Sequence, residues 1–452
     1  MKRPKLNKGD ELRRLMTRSD ERLLLFAVMA FQCVCMLLLA FKDETVNVFS
    51  LRMALLLPAG TFLGLLLLKK LWPVDRALYI LTAYLCGLGV ITMRAALLQR
   101  YQPKAVEQAK MLLVGYAALL IGVFLVRVFT GREKLIAWAA PPCVLALLVP
   151  LAMPSTTGAH NWIYFGSFQF QPSEIVKAVL VFFLAAGFSG GRRIRAWIYY
   201  AAAAAVMCGC LVLEKDLGTM ALFFATTVAM FAVGTGKKKL VVCCCAAAGA
   251  VCFAVLKNID KIPQLAYLAE RIRVWQDPWT NDAYQIVQGL LSIASGGPLG
   301  AGLGLSSAGK VPIMFSDYIF AGIAEEFGMI FAISVLAVYI VILIRGMSIA
   351  MSARTRFHSL LAFGCTFELI MQMLLIVMGD LKLIPLTGVT LPFVSEGGSS
   401  LVSCMLLMGM LLGVSGINAK DEYDDYTGAL SPSGDEKTGL RGLLRGNKEN
   451  RK

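Results

Sequence analysis

Only two histidines, His160 and His358, occur in 452 residues. That scarcity argues against metal or proton chemistry built on imidazole. Charge is thin as well. Asp, Glu, Lys and Arg make up 16% of the chain, where a soluble domain carries about a quarter. A water-facing surface of ordinary extent is therefore excluded. Nucleotide chemistry has no visible seat either: GLGLSSAGK lacks the spacing of a phosphate-binding P-loop, and no soluble catalytic domain stands out. Cysteine is plentiful at twelve, yet almost all lie inside apolar runs. Cys33/Cys35, Cys208/Cys210 and Cys243-Cys244-Cys245 have no histidine beside them, and a zinc site wants four converging ligands. They read as small apolar residues for helix packing.

What fills the chain is hydrocarbon. Hydrophobic residues reach 58% and mean hydropathy is +0.68. Segments of about twenty apolar residues, enough to cross a hydrocarbon core of roughly 30 Å, recur throughout. Twelve are expected: 23–41, 51–68, 77–97, 111–129, 135–153, 175–190, 196–213, 217–234, 239–256, 318–344, 358–378 and 399–416. The fold class is an all-α integral membrane protein, a polytopic helical bundle. The first apolar run has full span length and no small-residue site after it, so a cleaved signal peptide is not expected.

Basic loops stay cytoplasmic. Residues 1–22 carry Lys2, Arg3, Lys5, Lys8, Arg13, Arg14, Arg18 and Arg22, and every second connection is basic again, through Lys237-Lys238-Lys239 to Arg345, Arg354 and Arg356. Both termini are thus expected in the cytoplasm. The net charge of +15 is mostly orientation and not a nucleic-acid footprint. Two spans within 23–76 precede a body from 77 to 416, and 417–452 reads as a disordered cytoplasmic tail.

The loop 257–317 falls on the outer face. It holds Arg271, Arg273 and the glycine-rich run SGGPLGAGLGLSSAGK with Lys310, and ends at Ser316-Asp317-Tyr318. A shorter outer segment, 154–172, alternates aromatics and suggests a hairpin or interfacial loop. Glu174 and Lys177 lie three apart and share a helix face, as a neutralising pair or as substrate contacts. Asp216 opens a helix followed by Thr219 and could cap it. Asp317 could be a cap too, but Glu325 and Glu326 follow it, more acid than capping needs. A carboxylate at the bilayer surface beside cations suits a reaction on a lipid-linked anion. It would take the proton of an attacking hydroxyl while Arg271, Arg273, Lys310 or a metal ion stabilises a departing phosphate.

Six ordered motifs resemble one family. They are Gly158–Lys177 (GAHNWIYFGSFQFQPSEIVK), Asp216–Thr219 (DLGT), Tyr284-Gln285 with Gln288, Ser295 through Gly304, Asp317–Gly328 (DYIFAGIAEEFG) and Pro385–Ser400 (PLTGVTLPFVSEGGSS). Over about 77–416 the chain resembles the SEDS proteins (shape, elongation, division and sporulation), membrane-embedded peptidoglycan polymerases. The resemblance implies a ten-helix core, here with two added N-terminal helices, in the bacterial cytoplasmic membrane. It implies glycosyl transfer from lipid II, whose undecaprenyl pyrophosphate departs as an acceptor 4-hydroxyl attacks to give a β-1,4 glycan. It implies a class B penicillin-binding protein as partner, and surrounding membrane lipid. Asp317 matches the family's essential aspartate, the proposed general base. Glu174, Lys177, Asp216, Thr219 and Ser399 match residues lining its cavity, and Ser395, Gly397 and Gly398 join them as candidate substrate contacts. No cofactor or protein-held metal is evident, although a pyrophosphate leaving group could recruit a divalent cation.

The chain also departs from the family pattern. Pro312-Ile313-Met314-Phe315-Ser316 lacks the usual Glu and His before the aspartate, His160-Asn161 replaces a basic pair, and Glu396 replaces an aromatic. A lipid-precursor flippase and a non-catalytic scaffold of a wall-synthesis complex are the competing functions. A flippase wants polar residues through both membrane halves, whereas these acids crowd the outer half, with Glu368 and Gln372 as the exception.

Overall fold

The computed structural model describes residues 8–42, 46–95, 102–153, 160–165, 168–190, 194–261, 266–279, 283–306 and 311–429. In chain order the helices begin with α1 (Lys8–Ala40), α2 (Val48–Leu71), α3 (Arg76–Ala95) and α4 (Gln102–Phe129). Then comes α5 (Ala140–Leu148), extended by 3-10 turns at Glu133–Ala139 and Val149–Ala152. A hairpin of β1 (Ile163–Phe165) and β2 (Phe168–Phe170) leads to α6 (Pro172–Ser189), α7 (Ile194–Leu213), α8 (Leu217–Thr235) and α9 (Lys238–Lys257). The remaining elements are α10 (Ala266–Gln276), α11 (Tyr284–Gly296), α12 (Met314–Asp317), α13 (Ile319–Phe327), α14 (Met329–Ser352), α15 (Arg356–Asp380) and α16 (Gly398–Ala429).

Among the described residues twelve helical segments are long and apolar enough to span a bilayer, the number the hydropathy pattern predicts. In lipid the backbone must satisfy its own hydrogen bonds, and helices do so. α3, α6, α15 and α16 form the enclosed centre; on α3 only Arg76 and Tyr84 escape burial. α4 lies directly against α16. A Cβ added to Gly409 would stand 2.1 Å from the Leu119 carbonyl oxygen, so glycine is what permits the backbones to touch. At the other extreme α9 has no buried residue in its spanning window.

The 160–170 hairpin is present, pairing Ile163 with Phe170 and Phe165 with Phe168. Helix ends differ from expectation. α1 starts at Lys8, inside the segment read as a basic tail, and α16 continues to Ala429. The first extension is rich in residues that favour helix without needing lipid, such as Glu, Arg and Leu. Residues 430–452 lie outside the described residues.

The expected span 318–344 is corrected. The helix stops at Phe327 and restarts at Met329, with Gly328 between them at φ +90°. Backbone of the glycine-rich segment fills the break: Ala301 N donates to Glu325 O (2.7 Å), Gly302 N to Glu326 O (3.2 Å), and Met329 N to Gly297 O (2.9 Å). The spanning helix is Met329–Ser352, and α13 is a separate short element carrying Glu325 and Glu326.

The N-terminal hairpin does more than sit beside the body. Gln32 donates to Ala83 O (3.0 Å) and accepts from Thr61, while Tyr79 donates to Thr61 O (3.2 Å). Phe31 stacks on Phe331, and Lys42 and Leu39 lie against Gly304. The α1–α2 pair thereby reaches the glycine-rich turn.

Candidate functional site

Three polar tiers converge at the end of the bundle that carries residues 258–317. The deepest is centred on Lys177. One helical turn from Glu174, its Nζ donates to Glu174 Oε2 (2.6 Å) and, across to α15, to Gln372 Oε1 (2.8 Å). Gln372 Nε2 passes the contact on to Thr390 O (2.8 Å) and Thr390 Oγ1 (3.2 Å), and Thr390 meets Ser400 at 2.6 Å. A buried charge is tolerable only when paired and hydrogen-bonded, and this one is both. Glu368, deeper still, accepts from Thr226. Only Oε2 of Glu368 is bonded in this way; its Oε1 is buried without a hydrogen bond.

The second tier surrounds Asp216. As a cap it accepts Thr219 N at Oδ1 (3.1 Å), the role the sequence allowed. Its other oxygen takes Asn161 Nδ2 (3.1 Å) and Gln171 Nε2 (2.9 Å), binding the β-hairpin segment to α8. Gln171 N donates to Ser399 Oγ (3.1 Å), which brings in the start of α16. Thr219 is buried and contributes backbone here. Next door, Glu214 is closed to solvent with neither carboxylate oxygen hydrogen-bonded. Burial, and then the neighbouring Asp216 charge, push its carboxyl up to about 8.

The third tier holds Asp317. It is not a helix cap: it ends the four-residue α12, and Tyr318 separates it from α13. As a residue it is half-buried. Burial raises its pKa above the ordinary carboxylate value, against the opposing pull of the Ser316 hydroxyl and the Arg271 charge. Arg271 reaches the site because Trp275 on the same helix anchors α10 through Nε1 to Lys382 O (3.1 Å), and Lys215 lies over the Tyr267 ring at 5.7 Å. Arg273 points elsewhere, exposed and 3.9 Å from Glu270. Lys310 lies outside the described residues.

Glu325 and Glu326 are not reactive acids of this tier. Glu325 accepts from Ser292, and Glu326 from Ser306 and the Gly304 amide. They moor the glycine-rich turn. Ser395 and the glycines are likewise structural. The Ser395 hydroxyl is committed to Leu391 N and Ser316 O. A Cβ on Gly398 would stand 3.2 Å from Met111, and one on Gly397 3.3 Å from Ser400.

Sequence reasoning missed two groups behind Asp317. Asp380, at the end of α15, is 1% exposed, and neither oxygen completes a hydrogen bond. The Phe320 and Ala321 amides at the start of α13 face it without reaching bonding geometry, and it feels the Asp317 charge. The buried Tyr318 hydroxyl, also without a partner, faces both acids. An acid at the end of a predicted span was the available signal. Gln171 and Asn161 stood inside a quoted motif, but their partner lies 45 and 55 residues away. Among the described residues no three His, Cys, Asp or Glu side chains gather as a metal site.

The arrangement can hold a proton acceptor beside a cation, above two tiers of buried polar side chains. Residues 76–420 match the model of the cell cycle protein family that covers FtsW, RodA and SpoVE. A relative from Mycobacterium leprae, named peptidoglycan glycosyltransferase RodA, is 31% identical across 75% of this chain and 77% of its own length. The probable peptidoglycan glycosyltransferase FtsW of Bacillus subtilis is 28% identical across 83% of this chain and 99% of its own. A solved structure titled for the coordination of polymerization and crosslinking by a peptidoglycan synthase complex superposes with a TM-score of 0.63. It is 26% identical, covering 76% of this chain and 98% of that one. Thermus thermophilus RodA shares the fold at a TM-score of 0.56 and 24% identity, over 76% and 97%.

Proposed function

This chain belongs to the FtsW, RodA and SpoVE family and is a peptidoglycan glycosyltransferase of the bacterial membrane; from that premise we propose that Asp317 is its general base and lipid II its substrate. One observation carries the assignment. Asp317 alone joins three properties among the acids of these tiers: a residue partly open to solvent, a carboxylate free of capping, and a cation, Arg271, within electrostatic reach.

Asp317 takes the proton of the acceptor 4-hydroxyl as that oxygen bonds to the donor's anomeric carbon. The bond from that carbon to the pyrophosphate oxygen breaks, and undecaprenyl pyrophosphate leaves with the electron pair. Arg271 faces the charge that develops on the leaving group. The Lys177 and Asp216 tiers lie beneath, while the lipid tail stays in the bilayer. A divalent cation recruited by the pyrophosphate would draw its ligands mainly from the substrate, since no three His, Cys, Asp or Glu gather among the described residues. The basic connections support a reading with both termini in the cytoplasm and this site on the outer face. A class B penicillin-binding protein is the partner that would crosslink the product.

The test supplies labelled lipid II to the purified protein with its partner. Wild type is expected to give polymer and Asp317→Ala none. Polymer from both would remove Asp317 as base. Lipid movement across liposomes without polymer from either would replace the enzyme with a transporter.

A further inference from the structure

The α12 turn is too short to hold a catalytic carboxylate still. It has four residues and is entered through Ile313 in the left-handed region, at φ +53°, a conformation costly for a β-branched side chain. The amides of Ser316 and Asp317 both fall on one acceptor, Ile313 O, at 3.2 and 3.1 Å. The two carbonyls just before Asp317 are instead held from another part of the chain. Ser395 Oγ donates to Ser316 O at 2.7 Å, and Glu396 N donates to Phe315 O at 2.7 Å.

Those two residues are gripped in turn by the first turns of α4. Buried Gln108 donates through Nε2 to Ser395 O at 3.2 Å. Lys104 Nζ meets Glu396 Oε1 at 2.5 Å, with the two side chains 45% and 23% exposed. The Ser395 hydroxyl has its proton on Ser316 O and accepts Leu391 N at 2.8 Å. At 4% exposure it has no room for a sugar or phosphate.

We propose that Gln108, Ser395 and the Lys104–Glu396 pair are positioning residues, a strap from α4 through residues 395–396 that sets Asp317 for proton abstraction. The proposal rests on Asp317 being the base. Misplacing a reacting group by about 1 Å can cost about 100-fold in rate, so the strap acts on kcat and leaves substrate binding alone.

The experiment compares steady-state polymerisation of lipid II, with the folded fraction checked by thermal melting, for wild type, Asp317→Ala, Ser395→Ala, Lys104→Glu, and the exchange Lys104→Glu/Glu396→Lys. Ser395→Ala is expected to lower kcat about 10- to 100-fold with KM within about threefold. Lys104→Glu sets two carboxylates against each other and is expected to lower kcat several-fold. The exchange, made at a half-exposed pair that leaves the core untouched, is expected to return kcat to within about twofold of wild type. A raised KM with unchanged kcat in Ser395→Ala would make Ser395 a substrate contact and overturn the strap. Failure of the exchange to restore kcat would overturn the part given to Lys104 and Glu396. An inactive Asp317→Ala beside a fully active Ser395→Ala would sink the strap alone, whereas polymer from Asp317→Ala would sink the base assignment and the strap together.

Discussion

Replacing Lys177 with Met tests whether the deepest tier binds substrate or only holds helices together. Lys177 is 1% exposed and Glu174 8%, with 2.6 Å between Nζ and Oε2 and 2.8 Å from Nζ to Gln372 Oε1. Met fills a similar volume, so the cavity contribution is small, and what remains is a buried carboxylate without its cation. Breaking such a pair costs about 3–5 kcal/mol, which lowers the melting midpoint of a chain of this length by roughly 3–5 °C. The double variant Glu174→Gln/Lys177→Met removes both charges and is expected to recover to within about 1 kcal/mol of wild type. Stability is then restored while the cation is still missing. If Lys177 also contacts the pyrophosphate, the double variant loses a charge-assisted hydrogen bond of about 1.5–3 kcal/mol, or roughly 10- to 150-fold in kcat/KM. Detergent-solubilised protein serves both assays, thermal unfolding and lipid II polymerisation. A single variant that melts like wild type would refute the buried-pair argument. A double variant that both melts and polymerises like wild type would refute the substrate contact.

Burial lifts the Asp317 carboxyl while Arg271 pulls it down, so the acid limb of kcat/KM lies above the ordinary carboxylate value of about 3.9. Arg271→Gln removes a lowering influence and moves that limb to higher pH; a limb that stays put or falls contradicts the assignment. Glu214, raised to about 8 by burial and Asp216, favours the folded protein in its protonated form. Stability therefore declines as pH rises from the unfolded value near 4.3 through 8. Glu214→Gln should flatten that decline, with a higher melting midpoint than wild type at pH 9 and little difference at pH 5. Gly328→Ala forces a side chain onto φ +90° and sets its Cβ 2.4 Å from the Pro298 carbonyl oxygen. A loss of at least about 1–3 kcal/mol is expected from the backbone alone, and an unchanged melting curve would show that the α13–α14 break tolerates a side chain.

Spans were legible because lipid imposes one rule on every stretch that crosses it, a long apolar helix, and the pattern 77–97 or 358–378 records that rule locally. The break at Gly328 was not, because one glycine in an apolar run is compatible with an unbroken helix. What ends α13 is the docking of Gly297, Ala301 and Gly302, residues from a different part of the chain. The same limit governs the site. Glu174 and Lys177 were readable as a pair since helical spacing joins them, and Asp216 as a cap since capping is local. The Gln171 and Asn161 brackets on Asp216, the Asp380 carboxyl behind Asp317, and the 395–396 grip on α12 all arise from contacts between distant segments. No periodicity encodes those.

The acids of this bundle also show why one of them can be reactive. Glu174 is neutralised by Lys177, Asp216 spends both oxygens on a cap and two amides, and Glu325 and Glu326 moor the glycine-rich turn. Two others lack partners, Glu214 and Asp380, but each is 1% exposed, and a hydroxyl that cannot approach cannot give up its proton there. Asp317 differs from the first group in being uncommitted and from the second in being reachable. Burial that raises its pKa makes it a better proton acceptor once ionised, since basicity and pKa rise together. The Ser316 hydroxyl and the Arg271 charge oppose that rise and favour the ionised form. Strengthening either influence alone would harm the site: more burial would leave the acid protonated, and a closer cation would leave it too weak a base. The half-buried position of Asp317, set between α10 and the 395–396 segment, is where the two demands meet.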